Sequence, residues 1–492
     1  MSDDARAILT VAQMAAADAA AVAAGATTSQ LMQRAGAAVA DAVTARFTPR
    51  STAVLVGPGD NGGDGYVVAR LLKAQGWPVR IEAAGTPKTP ASIAAAAQWD
   101  GETAALTDRG GRAELIIDAV FGAGLNRPLS VELARLARRL EGARERVVAV
   151  DVPSGLAGDQ GKPLGGACFH AALTVTFHRR KMAHVLQPGR AICGEVVVGD
   201  IGLAAESATS PATLFENTPD LWLARYPWPS VAIHKSTRGR LIVVSGEAWS
   251  TGAARLASRS ALRVGAGLVT LMSPPEALMV NAAHLEAVML RPFETELELQ
   301  AAASAVEAAI IGPAAGVTEA TLSNVLALAR TGAALVVDAD ALSVFRDDPD
   351  ELFSVLDRDD VLTPHPGEFE RVFPGLLKRS PERISATRAA AARAQAVVVL
   401  KGPDTVIAAC DGRAAVNMNG TPWLATAGSG DVLAGLIGGL IAQGMESFEA
   451  ACAGVWIHAA CADEFGPGLI SEDLPGLVPI ILKRLQARVV PA

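Results

Sequence analysis

Two successive α/β domains are predicted for this 492-residue chain from three observations. Short apolar runs alternate with alanine-rich helical stretches along most of the sequence, which is the pattern of buried parallel strands joined by crossover helices. The length exceeds what one hydrophobic core ordinarily organises. The alternation also breaks near 219–230, where PDLWLARYPWPS puts prolines and tryptophans in place of periodic helix. In the first half the expected strands are 53–56, 78–82, 115–118, 147–151, 173–177 and 195–198, with helices at 29–47, 63–75, 89–98 and 129–141. That order predicts a doubly wound sheet with ligands at the carboxyl ends of its strands. In the second half the strands fall at 240–244, 267–271, 308–311, 334–338, 360–363, 396–400 and 404–408, and helices at 428–443 and 447–465. The expected domains are 1–215 and 231–492, with a linker at 216–230.

Acidic residues exceed basic ones by 51 to 43, a formal charge of −8, and no basic run interleaved with aromatics occurs. Nucleic acid is therefore not an expected partner. Cys168, Cys193, Cys410, Cys452 and Cys461 lack CxxC spacing, which suits a reducing compartment and no zinc site. The opening MSDDARAILTVAQM lacks a basic segment followed by a long apolar core, and apolar stretches such as 432–442 are too short to span a bilayer. A cytoplasmic protein with no membrane partner is expected.

The loop after the first strand reads Gly57-Pro58-Gly59-Asp60-Asn61-Gly62-Gly63-Asp64. It satisfies G-x-G-x-x-G, and Glu82 lies at a later strand end, as in dinucleotide-binding turns. Two features oppose the ordinary version. Pro58 removes an N–H donor, and Asp60 and Asp64 would face a pyrophosphate. Carboxylates there make sense if a cation intervenes or if they meet hydroxyl and amide groups. Asp118 and Asp151 close two further strands, with Ser154 three residues on. Their oxygens converge on a hard cation or simply cap loops.

GPGDNGGDGYVVARLL, DAVFGAGLNRP and VVAVDVPSGLAGDQG, with Gln13-Met14…Asp18 and 31–36 LMQRAG, closely resemble the NAD(P)H-hydrate epimerases over about residues 8–200. The resemblance implies a Rossmann-like domain that interconverts the R and S epimers of hydrated NADH and NADPH (NADHX and NADPHX) with a bound K+ ion. It places the hydrated dinucleotide at Asp60, Asn61, Gly62, Gly63 and Asp64, at Gly122, Ala123, Gly124, Leu125, Asn126, Arg127 and Pro128, and beside Asp151. K+ would lie around Asn61, Asp118 and Ser154. Asp60 stands where the family usually has asparagine. Epimerisation needs acid/base help, and Asp151 is the candidate on its position in the motif.

In the second half TAGSGDVLAG, residues 426–435, combines glycines with a helix start, so that backbone N–H groups point at a transferring phosphoryl. Asp431 would reach the attacking hydroxyl. Together with KGPDT at 401–405, DADAL at 338–342 and TPHPGE at 363–368, this resembles the ribokinase-like fold over about 234–468, and within it the ADP-dependent NAD(P)H-hydrate dehydratases. The resemblance implies that ADP, with Mg2+, phosphorylates the hydrate's hydroxyl and that phosphate then leaves. It places Ala253, Gly316, His365 and Asp431 on the hydrate, and Lys401, Gly402, Pro403, Asp404, Thr405 and Gly430 on the adenine nucleotide, with Asp431 as base. Pro403-Asp404 replaces the common Ala-Gly, which puts Asp404 near nucleotide phosphates, and HKSTRG at 234–239 and GPAAG at 312–316 also depart from the usual pattern. Outside its motif, His365 also reads as an ordinary loop histidine. Arginine exceeding lysine and abundant alanine give a prokaryotic-looking composition, in keeping with ADP rather than ATP.

Relatives of this kind are commonly homo-oligomers. Two other readings remain open on the residues: a hydroxymethylpyrimidine-type kinase carrying a non-catalytic N-terminal binding domain, and a scaffold role for the first half. Trp222, Trp228, Trp249 and Trp423 are expected in cores or interfaces.

Overall fold

A computed structural model of the chain describes residues 6–203, 213–230 and 234–489. Its internal contacts divide the chain between Leu214 and Phe215.

In the first unit one sheet runs in the order Thr103–Ala105, Val79–Ala83, Thr52–Val56, Leu115–Ala119, Val147–Val150, Leu173–Phe177 and Glu195–Gly199. Every neighbouring pair is parallel. Chain order reverses between Thr52–Val56 and Leu115–Ala119, which is where a doubly wound sheet opens a crevice for ligands. Successive strand residues feed opposite cores: Val54, Val56 and Ile117 pack on one face, and Ala53, Leu55 and Ile116 on the other. Burial on both faces explains why these strands read as unbroken apolar runs.

The helix expected from residue 63 begins earlier, as Asp60–Ala74, with Gly59 as its N-cap. Glycine is required at two points of that turn. A Cβ on Gly57 would lie 1.8 Å from the Val120 carbonyl oxygen, and one on Gly62 would lie 1.9 Å from the Gly57 carbonyl oxygen. A further helix, Val11–Ala23, has no counterpart in the expected elements. Its alanines are apolar nearly all round, so no polar face marks a helical period. The edge strand Thr103–Ala105 is exposed along its length and lacks the apolar signal for the same kind of reason.

The second unit is a sheet in the order Leu214–Asn217, Ala414–Asn417, Val406–Ala408, Val397–Leu400, Val361–Leu362, Ala334–Val337, Ala308–Ile311, Arg240–Val244, Leu268–Ser273 and Met289–Pro292. From Val397–Leu400 to Met289–Pro292 the pairing is parallel, whereas Val406–Ala408 and Ala414–Asn417 are antiparallel additions. The helix Ser429–Ala442 packs on Gly252–Val264 at very short range: a Cβ on Gly435 would lie 2.2 Å from the Ala257 carbonyl oxygen.

Residues 216–230 are not a linker. Leu214–Asn217 is an edge strand of the second sheet, and the Asn217 side-chain amide donates to Asn417 Oδ1 (3.0 Å) and to the Cys452 carbonyl (2.8 Å). Trp222 is fully buried, and Tyr226 donates its hydroxyl to the Val264 carbonyl at 3.1 Å. The prolines and tryptophans that broke the periodicity form an aromatic strap over the core, with Trp222 against Tyr226 and Trp456, and Tyr226 against Trp228. Trp249, by contrast, is 83% exposed, outside any core.

Replacing Gly435 by alanine forces two helix backbones apart and is expected to cost about 1–3 kcal/mol. It should lower the melting midpoint of the second unit in calorimetry and leave that of the first in place.

Candidate active sites

At the switch point of the first sheet a cavity of about 620 Å³ is lined by Asp60, Asn61, Asp64, Gly122, Ala123, Gly124, Leu125, Asn126, Arg127 and Asp151, together with Asp18 and Lys181. Gly62, Gly63 and Pro128 are not in its lining. Gly62 and Gly63 are buried turn positions, and Pro128 packs beneath Gly165, where an added Cβ would sit 2.7 Å from it. Asp60 is exposed and accepts a hydrogen bond from the Thr89 hydroxyl. Glu82 plays no part in the cavity: it accepts from the Gly111 N–H (2.8 Å) and pairs with Arg80 (2.9 Å).

Asp151 occupies a left-handed backbone position, φ 64°, with the Val152 N–H bonded to the Val150 carbonyl across it. Strain of this kind is typical of residues held for a function. Both carboxylate oxygens are engaged. Oδ2 accepts from the Ala123 N–H (2.8 Å), and Oδ1 accepts from the Thr176 hydroxyl (3.0 Å) and the Lys181 ammonium (2.9 Å). Burial opposes ionisation here, yet the Lys181 charge and these bonds outweigh it and hold the carboxyl at about 2. A carboxylate so committed is a weak proton acceptor near neutrality, so this environment suits Asp151 to the part of an anion better than to proton transfer. It is a fixed anion.

Lys181 is almost fully buried and also donates to Thr176 Oγ1 at 2.7 Å. His184 locks this arrangement: its Nδ1 accepts from the Lys181 N–H and its Nε2–H donates to the Asp151 carbonyl, both at 2.9 Å. Burial, reinforced by Lys181, keeps that imidazole neutral, with its pKa at about 3. Burial likewise drives Asp64 well above the ordinary carboxylate range, helped by Asp151, Asp60 and Asp18. Lys181 and His184 lie in FHRRKMAH, which no strand-end motif marks.

Asp118 and Ser154 come together beneath the cavity. Ser154 donates its hydroxyl to Asp118 Oδ1 (2.6 Å) and its N–H to Oδ2 (2.8 Å), and the Phe121 N–H donates to Ser154 Oγ (2.8 Å). Burial raises Asp118 to about 6 against those hydrogen bonds. Asn61 approaches the same loop, and its amide nitrogen is buried without a partner. The carboxylate of Asp118, the hydroxyl of Ser154 and the amide oxygen of Asn61 are the oxygen types that a hard cation takes.

In the second unit the carboxyl ends of two strands supply Asp338 and Lys401, the helix Pro366–Val372 that follows the strand between them supplies Glu368, and the helix Ser429–Ala442 supplies Gly430 and Asp431. The Lys401 ammonium donates to Asp338 at 2.8 Å and lies 3.7 Å from Glu368. Burial works against its charge, but Asp338, Glu368 and Asp431 raise its pKa. Gly430 leaves room at this point: a Cβ there would meet Lys401 Nζ at 3.4 Å and Asp338 Oδ2 at 3.7 Å. Asp431 is pushed to about 7 by burial and by Asp338, with Lys401 opposing and Asp340 and Glu368 assisting. Asp340 accepts from the Gly316 N–H at 2.9 Å, which ties the GPAAG loop to the cluster.

His365 caps the helix Pro366–Val372. Its Nδ1 accepts from the Gly367 N–H (2.9 Å), and its Nε2 lies 3.2 Å from Glu368. Half of its side chain stays exposed. Ala253 is in the first turn of Gly252–Val264, one turn before Leu256, which lies against Gly428. The KGPDT turn divides. Thr405 folds back onto Gly402, exchanging bonds of 2.8 and 3.1 Å, and Asp404 is buried against Arg383 at 3.2 Å. The arginine beneath the turn draws the Asp404 side chain inward. Asp338, Asp340 and Glu368 were quoted in motifs without a role, and their part in the cluster becomes visible only once the strands align.

Residues 241–469 match the NAD(P)H-hydrate dehydratase family model, and residues 28–183 match the model of the YjeF-related protein N-terminus. A bifunctional NAD(P)H-hydrate repair enzyme from Thermofilum pendens is 36% identical over 93% of this chain and 92% of its own. One from Coxiella burnetii is 34% identical over 92% and 95%. Among solved structures, a ribokinase-like superfamily protein from Enterococcus faecalis V583 superimposes with a TM-score of 0.50 at 23% identity, covering 56% of this chain and 98% of that one. This last likeness concerns the fold of the second half.

Removing the buried ammonium by Lys181→Met should strand Asp151. The expected result is a loss of about 3–5 kcal/mol and a rise of the Asp151 titration from about 2 into or above the ordinary carboxylate range, read by thermal melting and by carboxyl NMR titration.

Proposed function

This chain belongs to the family of bifunctional NAD(P)H-hydrate repair enzymes, and on that premise we propose how its two halves divide the work. The first half is an isomerase that interconverts R- and S-NAD(P)HX. The second is a lyase that returns the S epimer to NAD(P)H at the expense of ADP, yielding AMP and phosphate. The observation that carries the second assignment is the cluster of Asp431 and Lys401 at a glycine-rich helix start, where a hydroxyl can be deprotonated beside bound phosphates.

The chemistry follows from the leaving group. Hydroxide departs poorly from carbon, whereas phosphate departs well. Asp431 takes the proton of the hydrate's hydroxyl as its oxygen attacks the terminal phosphoryl group; the phosphate then leaves carbon with the bonding electrons, and loss of a ring proton restores the double bond. Positioned dipoles and cations stabilise such a transition state. Gly430 and the helix start provide N–H groups, and Lys401 provides a fixed positive charge. Gly402, Pro403 and Thr405 shape the nucleotide side of the turn, while Ala253, Gly316 and His365 border the hydrate. Mg2+ suits a site with four acidic side chains and one ammonium. Among the described residues no three metal-binding side chains converge, so the ion would be held largely by nucleotide phosphates, and it would supply neutralisation of phosphate charge. In the first half Asn61, Asp118 and Ser154 would hold K+, which would supply a positive charge next to the dinucleotide.

The hydroxymethylpyrimidine-type kinase is not favoured, since relatives with both halves match over nearly the whole chain. Among the described residues no helix is long and apolar enough to cross a membrane. All five cysteines are free thiols, and we place the protein in the cytoplasm on that chemistry. Assembly into a homo-oligomer belongs to the same proposal and is testable by sedimentation.

The test follows absorbance of the reduced nicotinamide while the purified chain acts on mixed-epimer NADHX with Mg2+, K+ and ADP. Full conversion with phosphate release is expected. Asp431→Asn should slow NADH formation by about 10²-fold or more while R and S still exchange. Because the base must be ionised, the wild-type rate should rise as pH climbs through about 7. Absence of conversion with ADP or ATP would overturn the lyase assignment. Exchanging K+ for a bulky organic cation should slow epimer exchange and spare dehydration of the S epimer; equal rates would remove K+ from the first site.

A further inference from the structure

We propose that Asp18 is the proton carrier of the first site, giving its proton to the departing hydroxyl of the hydrate and recovering one from the water that returns. The inference rests on the epimerase reading of the first half and gives the acid/base step to Asp18, leaving Asp151 as the anion beside it.

Asp18 belongs to the Gln13-Met14…Asp18 segment, and its neighbours Met14 and Ala15 line the same cavity. The fold delivers it deliberately. Its helix, Val11–Ala23, starts with a reciprocal cap in which the Gln13 N–H donates to Thr10 Oγ1 (3.1 Å) and the Thr10 N–H to Gln13 Oε1 (2.9 Å). The Val11 N–H donates to Asp159 Oδ1 at 2.8 Å. That bond ties a helix near the chain start to the loop after the Asp151 strand end, so Asp18 reaches the cavity that holds Asp60, Asn61, Asp64, Asp151 and Lys181.

The charged groups facing Asp18 are Lys181, Asp151, Asp60 and Asp64. Each acidic neighbour is otherwise occupied. Asp151 has both oxygens filled, Asp60 is engaged by Thr89, and Asp64 is nearly fully buried. Asp18 is half-buried, and burial and neighbouring charges dominate its surroundings. Burial raises it, Lys181 opposes, and Asp151 and Asp60 raise it further, to about 6. Two carboxylates with diverging environments, one fixed as an anion and one able to exchange a proton near neutrality, are the division an acid/base site requires.

The step balances without another reactant. The hydrate is a hemiaminal, with its hydroxyl on a carbon bonded to the ring nitrogen. A proton from Asp18 moves to that oxygen, the C–O bond breaks with its electrons leaving in water, and the nitrogen lone pair forms C=N+. Water then adds to the opposite face, the C=N electrons return to nitrogen, and the surplus proton goes to the Asp18 carboxylate. The Asp151 anion faces the transient positive charge throughout.

The experiment uses the full chain and reads R/S exchange directly by chromatographic separation of the NADHX epimers, after subtracting the uncatalysed rate. Wild-type kcat is expected to fall as pH rises past about 6, because the protonated acid starts the reaction. Asp18→Asn should lower kcat by about 10²-fold or more, keep KM within a few-fold, and flatten that pH dependence. Asp18→Glu should restore part of the rate, and both variants should melt near the wild-type temperature. Wild-type kcat in Asp18→Asn, or a reduced kcat with the same pH dependence, overturns the proposal. A wild-type chain that exchanges epimers no faster than buffer overturns the epimerase reading itself, which separates the two failures.

Discussion

In each half an ammonium largely shielded from water balances carboxylate charge at the rim of the sheet. Lys181 does this for Asp151 in the first unit, and Lys401 does it for Asp338 and Glu368 in the second. Taking one charge out of water costs several kcal/mol, and only a close partner with further hydrogen bonds offsets that cost. Lys181 meets the condition with its further bond to Thr176, and Lys401, which keeps 21% of its side chain exposed, has a second carboxylate, Glu368, 3.7 Å away. Asp151 stays ionised because it sits on the ammonium, while burial and acidic neighbours raise Asp64, and raise Asp431 against the opposing charge of Lys401.

Parallel sheets are what make such gatherings feasible. Their strands all end on one side, so residues distant in sequence arrive at one rim. The turns beyond the strand ends must then pass close to one another, and glycine permits this at Gly57, where any side chain would strike the Val120 carbonyl. Asp151 and Ala339 adopt left-handed backbone positions at the corresponding places in the two halves, and both stand next to or within the acidic sets. The two units thus reach a similar electrostatic solution on different sheets, and they use it differently. In the first unit the charged pair fixes an anion in the wall of the cavity. In the second it lies beside a helix start suited to phosphate.

Much of this was legible in the residues. Apolar runs located the central strands to within a residue or two because both faces are buried and every position must be apolar. The glycine loops at 57–63 and 428–430 were legible because close backbone approach restricts residue choice. Edge strands such as Thr103–Ala105 and Met289–Pro292 were not, since half-exposed positions impose no such restriction. The aromatic strap at 216–230 was read as a linker for a related reason: proline and tryptophan signal a broken helix whether the segment is loose or packed.

The sequence by itself determined the alternation that builds two parallel sheets, the glycine turns, and the acids at the strand ends. These depend on local periodicity and local sterics. Only the tertiary structure decided which of those acids is a permanent anion and which can carry a proton. Lys181 and Asp151 are 30 positions apart, and Lys401 and Asp338 are 63 apart. Burial and Coulomb energy depend on distances in space, and folding alone sets them.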